Sequence, residues 1–393
     1  MSDLVFVHSA DWQLGKPYGQ VADADKRAAL RRARLDVLAH IAEVARREDA
    51  AFVVVSGDLF DSITVDRSTV SAACAAIGRM QVPVLVIPGN HDHGGPGSVW
   101  EQEFFRRERE ALAPNLRVLL EPAPVVLEGA VVLPCPLLHR TVIGDPAAWL
   151  QDGAVYDGLP PDLPRIVLAH GSTRSFVGRW AEEGDDSAAT NLIDPDRLQS
   201  IPVDYVALGD WHGTFCVGER IWYSGTPEPD RFPRGEDQDP GNVLLVRAAR
   251  GEVPRVEADR TAILDWRRMA FEFTDDPSLD RLQETLETEV GGHAQETVLR
   301  LELSGALGIE AREALERLLE SWEARLAWLK AVDRVVVAPT GEEVAALTGR
   351  DDPLIASVAA SLLDRARGAG DPEMAQLALR LLHGACVAEG GGP

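Results

Sequence analysis

The stretch AFVVVSGDLFD, residues 51–61, places an unbroken apolar run shortly before a glycine and two aspartates. VPVLVIPGNHD, residues 82–92, repeats the arrangement. Apolar runs with little alternation are typical of strands that are covered on both faces. Because the carboxyl ends of parallel strands meet at one sheet edge, the polar residues that follow them gather there, where open α/β folds bind ligands. The two stretches predict a layered α/β protein with its site at that edge.

The rest of the first half alternates between strand-like and helix-like segments, as layered α/β folds do. Residues 24–48 carry apolar side chains at helical spacing, and residues 66–79 and 98–111 also predict helices. We therefore expect sheets flanked by helices. The predicted strands lie approximately at residues 3–8, 51–55, 83–87, 116–120, 125–133, 165–169 and 203–208.

The chain changes character twice beyond this region. Residues 215–258 indicate short strands around a loop, 227–242, that is rich in proline, glycine and aspartate. The pattern then predicts a small α+β domain, whereas residues 341–388 lack strand signals and predict two or three short helices. We therefore predict a first domain at 1–260, a small α+β domain at 261–338 and a C-terminal helical segment at 339–393.

The net charge of −24 argues against a broad basic surface that would bind nucleic acid unaided. It does not exclude a nuclease, because a metal site supplies local positive charge and a partner can supply the rest. The four cysteines lie far apart without a C-x-x-C pair, which argues against a zinc ribbon or a disulfide framework and favours a reducing cytoplasm. We expect neither a signal peptide nor a membrane span, since the chain has no apolar run of that length.

Five strand-like segments end in residues that can bind metal ions or transfer protons. A single such residue is more often a helix cap, a turn residue or a hydrogen-bonded structural histidine. An ordered set of five that follow apolar runs instead predicts one shared site. The five are DWQ at 11–13, GDLFD at 57–61, GNHD at 89–92, HG at 170–171 and GDWH at 209–212.

This ordered set resembles the pattern of the calcineurin-like metallophosphoesterase family, which is D-x-H, GD-x-x-D, GNH(D/E), H and GH-x-H. The resemblance covers roughly residues 3–225. Within the family, HSADWQLG at 8–15 and GDLFD at 57–61 look most like the SbcD-like DNA repair exonucleases. WYSGTPEPDRF at 222–232 resembles the segment that closes the nuclease domain in that branch, and the small α+β domain is similar in placement to its DNA-capping domain.

The resemblance implies a site with two metal ions, and Asp58 would bridge them. Each ion would have three further ligands: Asp11, Gln13 and His212 for the first, and Asn90, His170 and Asp210 for the second. His91 matches the family's general acid, which protonates the leaving oxygen, and Asp61 would orient its imidazole.

Two positions depart from the family pattern, because Gln13 and Asp210 stand where the family usually has histidine. Both side chains still offer oxygen, and exchanging imidazoles for oxygens shifts the preference from Zn²⁺ toward Mn²⁺ or Mg²⁺. We therefore predict two divalent ions, Mn²⁺ before Mg²⁺, with Gln13 as a weak ligand or bound through a water. The alternative is a decayed site that binds metal weakly or not at all.

Residues around the motifs are candidates for further roles at the site. Arg174 and Arg179 follow the His170 turn and are candidates for substrate phosphate binding, with a solvated loop as the alternative. Arg231 and Arg234 have the same two interpretations. The basic run 26–34 on the first helix is predicted to be a solvated face, and His8 is predicted to lie behind the ligands.

The resemblance thus implies a metal-dependent hydrolase, a two-metal DNA phosphodiesterase that serves as an exonuclease subunit in DNA repair or processing. The resemblance implies an SMC-type coiled-coil ATPase partner (SbcC-like) and a possible homodimer. The partner would dock on the helices at 341–388, with packing of these helices on their own domain as the alternative. One alternative is a small-molecule phosphoesterase. The other is a catalytically inactive DNA-binding scaffold subunit.

Overall fold

The run at residues 51–61 supplies a central strand of a six-stranded sheet in a computed structural model. The structure describes residues 4–173, 190–233, 239–348, 353–367 and 372–390. Contacts divide the chain into two compact units, Met1–Asp265 and Trp266–Pro393. A further boundary at residue 338 stays a prediction.

The first unit contains two sheets and the helices that cover them. Its strands are β1 (Leu4–Ser9), β2 (Val53–Ser56), β3 (Val84–Ile87), β4 (Leu116–Val118), β5 (Val125–Val126), β6 (Val131–Cys135), β7 (Arg165–His170), β8 (Tyr205–Gly209), β9 (Phe215–Gly218), β10 (Ile221–Tyr223), β11 (Asn242–Ala248) and β12 (Arg255–Arg260). Its helices are α1 (Ala24–Arg47), α2 (Arg67–Gly78), α3 (Glu103–Leu112) and α4 (Pro195–Gln199). Short 3₁₀ turns span Val99–Glu101, Ala148–Gln151 and Gly153–Tyr156.

Strand order places the motif-bearing strands side by side. The first sheet has the order β12-β11-β1-β2-β3-β4, with β1 to β4 parallel and β11 antiparallel to β1. The second has the order β5-β6-β7-β8-β10-β9, with β6, β7, β8 and β10 parallel. The carboxyl ends of β1, β2 and β3 therefore lie together in one sheet, as do those of β7 and β8 in the other.

Side chains of the central strands alternate between two apolar cores. Val54 points inward and packs with Ile166 and Leu168 of the second sheet. Val53 and Val55 point outward, into the core that α1 and α2 cover. This period of two explains why the runs are apolar throughout, because each strand is covered on both faces. The predicted layered α/β fold, sheets flanked by helices, is confirmed.

Two predicted segments are each divided in the structure. The strand predicted at 125–133 is a hairpin of β5 and β6, in which the Leu127 N–H donates to the Ala130 carbonyl over 2.8 Å. The apolar residues on both sides of Glu128-Gly129 conceal this tight turn in the sequence. The helix predicted at 98–111 is a 3₁₀ turn followed by α3, because Gln102 between them is extended at φ −65° and ψ 131°.

The second unit has its own sheet and core. It contains β13 (Asp265–Phe273), α5 (Ser278–Val290), β14 (Thr297–Leu307), α6 (Ile309–Arg325), β15 (Trp328–Asp333) and β16 (Val336–Val337), followed by α7 (Gly341–Thr348), α8 (Pro353–Arg367) and α9 (Pro372–Gly390). The sheet order is β13-β14-β15, and β16 pairs with β14. Leu282, Leu299 and Trp322 belong to its core. The predicted helical C-terminal segment is thus present.

The C-terminal helices cover part of their apolar surface within their own unit. Leu363 and Leu379 are buried in a cluster that also contains Ile309 at the start of α6. None of the helices in the described part of the chain combines the length and apolar character that a bilayer crossing requires.

Candidate metal centre

Backbone hydrogen bonds draw the loops after β1 and β2 together beyond the end of the sheet. The Asp11 N–H donates to the Gly57 carbonyl over 3.1 Å, and the Gln13 N–H donates to the Asp58 carbonyl over 2.8 Å. The Asp210 N–H, from the second sheet, lies 3.2 and 3.1 Å from the two carboxylate oxygens of Asp11. These contacts place residues from both sheets at one point.

Four of the predicted ligands have left-handed backbones, which non-glycine residues adopt at a cost. Their φ angles are 53° for Asp11, 41° for Gln13, 53° for Asp58 and 100° for Asp210. Gly89 allows a close approach beside them, since a Cβ there would lie 2.2 Å from Asp58 Oδ1. Strain of this kind persists only where surrounding contacts impose it, and it concentrates at functional sites.

Asp11, Asp58 and His170 form a buried cluster whose ligand atoms all lie within 4.8 Å of one another. His170 Nδ1 lies 2.8 Å from the Ser56 carbonyl, so the N–H at Nδ1 donates to it and Nε2 is the nitrogen that can bind a cation. This Nε2 faces Asn90 Oδ1 at 3.1 Å and Asp58 Oδ1 at 3.6 Å. Two carboxylates, an amide and an imidazole are a fitting donor set for a divalent cation.

Asp210 adds a further carboxylate near His170 Nε2, beside Asn90 and Asp58. Its Oδ1 lies 3.9 Å from His170 Nε2, and its Oδ2 accepts a hydrogen bond of 2.6 Å from Ser172 Oγ. Burial alone lowers the pKa of His170, but the neighbouring carboxylates, first that of Asp58, raise it to about 9. A cation that binds at Nε2 must therefore displace a proton.

Gln13 and His212 lie on the other side of Asp11, but the Gln13 side chain is already engaged. Gln13 Oε1 accepts from Lys16 Nζ over 2.7 Å, while Gln13 Nε2 lies 3.4 Å from His212 Nε2. His212 Nε2 lies 4.0 Å from Asp11 Oδ1. Burial, followed by the Arg231 guanidinium, lowers the pKa of His212 to about 4, so its imidazole is neutral.

The predicted acid, His91, contacts both of its neighbouring aspartates. Its backbone N–H donates to Asp58 Oδ1 over 2.9 Å. Its Nδ1 lies 2.9 Å from the main-chain carbonyl of Asp61, while the Asp61 carboxylate is 4.0 Å away. That carboxylate faces Lys16 Nζ at 3.5 Å. Asp61 therefore orients His91 through its backbone, and its charge is directed to the lysine.

Arg34 is a site residue that the sequence analysis missed, since the run 26–34 was predicted to be solvated. Its side chain is buried and donates to the carbonyls of Asp11, Trp12 and Glu228 over 2.9–3.0 Å. It thus ties the loop after β1 to the segment near Asp230. Its position among apolar residues at helical spacing was the available signal.

Lys16 and Asp230 were also missed. Lys16 Nζ pairs with Asp230 Oδ2 at 2.9 Å, and Asp230 Oδ1 lies 2.9 Å from His212 Nδ1. Burial alone raises the pKa of Asp230, but His212, Arg231 and Lys16 together hold it well below its usual value. No local sequence pattern predicts these contacts, because the residues are far apart in the chain.

Five of the predicted ligands line a cleft of about 400 Å³: Gln13, Asp58, Asn90, Asp210 and His212. Lys16, Arg140 and Arg231 line it together with His91 and Asn90. The predicted phosphate-binding residues Arg174 and Arg179, as well as Arg234, lie outside the described residues.

His8 does not reach this cleft. It is buried, with Nδ1 2.9 Å from the Tyr205 hydroxyl and Nε2 3.2 Å from the Leu208 carbonyl. The N–H at Nε2 therefore donates to the carbonyl, and Nδ1 accepts from the hydroxyl. Burial lowers the pKa of His8 to about 3, so the imidazole stays neutral in the folded protein.

The neutral state of His8 predicts an acid-dependent loss of stability. Below its unfolded pKa of 6.5, the unfolded chain binds a proton that the folded chain excludes, so stability falls as the pH drops from 6.5 toward 3. Between pH ~7.5 and ~5.5, His8 should account for about 1.4 kcal/mol of the lost free energy of unfolding. Urea unfolding of wild type and His8→Gln at both pH values measures this difference, and equal losses in the two proteins would contradict it.

The sequence model of the calcineurin-like phosphoesterase family matches residues 4–214, more than half of the chain. TT1561 of Thermus thermophilus is 12% identical with a TM-score of 0.37, over 66% of this chain and 100% of that one. GAP50, described as the anchor in the inner membrane complex of Plasmodium, is 13% identical with a TM-score of 0.35, over 67% of this chain and 91% of that one. These two likenesses carry no argument about activity.

Proposed function

Since this chain belongs to the calcineurin-like phosphoesterase family, a family of metal-dependent hydrolases, we propose that it is a nuclease that hydrolyses DNA phosphodiesters. The observation that supports this most is the convergence of Asp11, Asp58 and His170 within 4.8 Å. His91 lines the same cleft as Asp58. A cation position beside an imidazole acid suits metal-assisted phosphoester hydrolysis.

The residues of the site have distinct roles in the proposed reaction. Asp58, Asn90, His170 and Asp210 would hold a divalent ion, which supplies a Lewis acid for the phosphoryl oxygens and a water of lowered pKa. Ser56 fixes the His170 ring so that Nε2 faces the cluster. The Asp61 carbonyl anchors His91 Nδ1, so Nε2 is the nitrogen that donates a proton to the leaving sugar oxygen. The oxygen-rich donor set favours Mn²⁺, then Mg²⁺.

Two features favour DNA as the substrate. Lys16, Arg140 and Arg231 give the cleft cationic side chains that suit a phosphate backbone. The chain also has a second folded unit, with a sheet and C-terminal helices, which a small-molecule phosphoesterase does not need. The cleft volume of about 400 Å³ is also compatible with a small ligand, so a nucleotide or phosphomonoester is the second candidate.

We propose an SMC-type coiled-coil ATPase as the partner in DNA repair within the cytoplasm. Large apolar side chains remain exposed on the last two helices, with Leu354 71% and Leu381 68% exposed. Val358 on α8 and Leu377 on α9 are about one turn away and also exposed. Such a patch suits an amphipathic helix pair. A partner that binds DNA would also offset the net charge of −24. Homodimerisation remains an expectation from the resemblance.

The test compares three substrates with Mn²⁺ present and with chelator: end-labelled linear DNA, a small aryl phosphodiester and a nucleoside monophosphate. We expect Mn²⁺-dependent cleavage of DNA, stimulated by the ATPase partner. Hydrolysis of the small substrates alone would establish the small-molecule enzyme. Absence of both hydrolysis and Mn²⁺ binding would leave the DNA-binding scaffold. Lys330→Met, an exposed change in the second unit, is the matched control and should behave as wild type.

A further inference from the structure

The side chain of Gln13 belongs to a closed ring of polar contacts with Lys16, Asp230 and His212. Lys16 Nζ lies 2.7 Å from Gln13 Oε1 and 2.9 Å from Asp230 Oδ2. His212 closes the ring, since its Nδ1 lies 2.9 Å from Asp230 Oδ1 and its Nε2 lies 3.4 Å from Gln13 Nε2. Gln13 is 2% exposed and Asp230 is 5% exposed, while Lys16 and His212 are half-buried and line the cleft, so the ring lies at the cleft wall.

The ring decides which end of the Gln13 amide faces the metal cluster. A reversed amide would place its NH₂ group against the Lys16 ammonium, and both groups are donors. The carbonyl oxygen therefore stays on Lys16, and the NH₂ group donates toward the lone pair of His212 Nε2. An amide NH₂ group is not a metal ligand. In this arrangement neither Gln13 nor His212 presents a free donor atom to a cation.

The charge of Lys16 also disfavours a cation beside Gln13. The Lys16 ammonium is one hydrogen bond away from the Gln13 side chain, so it repels a divalent cation held by that side chain. The opposite position is lined differently within the described part of the chain, because His170 Nε2 faces the oxygens of Asn90, Asp58 and Asp210. The two sides of Asp58 therefore differ in both donor supply and charge.

We propose, resting on the proposed function, that the two metal positions are unequal and that Lys16 makes them so. The position formed by Asp58, Asn90, His170 and Asp210 binds a divalent ion tightly. Lys16 holds Gln13 away from the other position, so a second ion binds there much more weakly. The Lys16 ammonium occupies this side of the cleft, where it pairs with the Asp230 carboxylate at 2.9 Å.

The test is a Mn²⁺ titration of the metal-stripped full chain, read by calorimetry and by the paramagnetic resonance signal of free Mn²⁺. We expect one tight ion in wild type and a second at least about tenfold weaker, the scale of outer-shell effects on metal affinity. Lys16→Met removes the ammonium at similar length and should strengthen the second site by about tenfold or more. Gln13→His supplies a ring nitrogen and should do the same. Lys330→Met is the control and should match wild type.

Two results would overturn the inference: two ions of equal affinity in wild type, or a second site that stays weak in Lys16→Met, whatever Gln13→His shows. Unfolding curves of each variant show that the fold is retained, and the tight site serves as an internal measure of intact geometry. Absence of any Mn²⁺ binding by wild type would overturn the proposed function together with the inference. Two equal ions with DNA cleavage would overturn the inference alone.

Discussion

Asp58→Asn is expected to remove Mn²⁺ binding and DNA cleavage together. Asp58 is 1% exposed, and its Oδ1 both accepts the His91 N–H over 2.9 Å and faces His170 Nε2 at 3.6 Å. Asparagine keeps the shape but replaces one anionic oxygen by an NH₂ group, which neither neutralises nor ligates a cation. Since metal catalysis contributes several kcal/mol to barrier lowering, the rate should fall at least about 10³-fold.

Binding and cleavage are both measured for this variant, by Mn²⁺ calorimetry and by digestion of end-labelled DNA. Asp162→Asn is the matched control, because it makes the same chemical change at an exposed aspartate away from the cleft. Retained tight Mn²⁺ binding in Asp58→Asn would show that the cation position does not depend on this carboxylate. Retained cleavage would place the chemistry elsewhere.

His91→Ala is expected to lower the cleavage rate by about 10²–10⁴-fold, the usual contribution of a general acid. Its affinity for Mn²⁺ should stay close to that of wild type, because no described ligand position depends on the imidazole. His91 contributes its backbone N–H to Asp58, and alanine keeps that donor. His293→Ala, at an exposed histidine in the second unit, is the control and should leave the rate unchanged.

Asp61→Ala sharpens this prediction. His91 Nδ1 is held at 2.9 Å by the Asp61 main-chain carbonyl, which alanine retains, while the lost carboxylate is 4.0 Å away. The rate should therefore fall much less in Asp61→Ala than in His91→Ala. Equal losses would show that the carboxylate supports the acid. A loss of Mn²⁺ affinity in His91→Ala would make His91 a ligand and not the acid.

The layered fold was predictable because its signals are local. A central strand such as β2 is covered on both faces, so its apolar run is continuous and visible in a few residues. The hairpin between β5 and β6 was not predicted, since apolar residues flank Glu128-Gly129 on both sides and the turn gives no polar break. Gln102 likewise carries no residue-type signal for the extended backbone that interrupts the predicted helix.

The positions of the site residues were also predictable, because each one lies at or just beyond the carboxyl end of a strand, and these strand ends share an edge. The structure brings Asp11, Asp58, Asn90, His170 and Asp210 together at that edge, with Gln13, His91 and His212 around them. The contacts that each side chain makes were not predictable in the same way. Asp61 faces Lys16 with its carboxylate and His91 with its carbonyl, and its residue type is the same in either case.

The sequence by itself determined the fold class and the strand-end residues that meet at the metal centre, since hydrophobic runs and strand-end motifs act over a few residues. Only the tertiary structure decided how those residues are used. Gln13 meets His212 across 199 positions of sequence, and Arg34 meets Glu228 across 194. Contacts at such separations depend on the packing of two sheets against each other. A buried amide or guanidinium must satisfy its hydrogen bonds with whatever that packing places beside it.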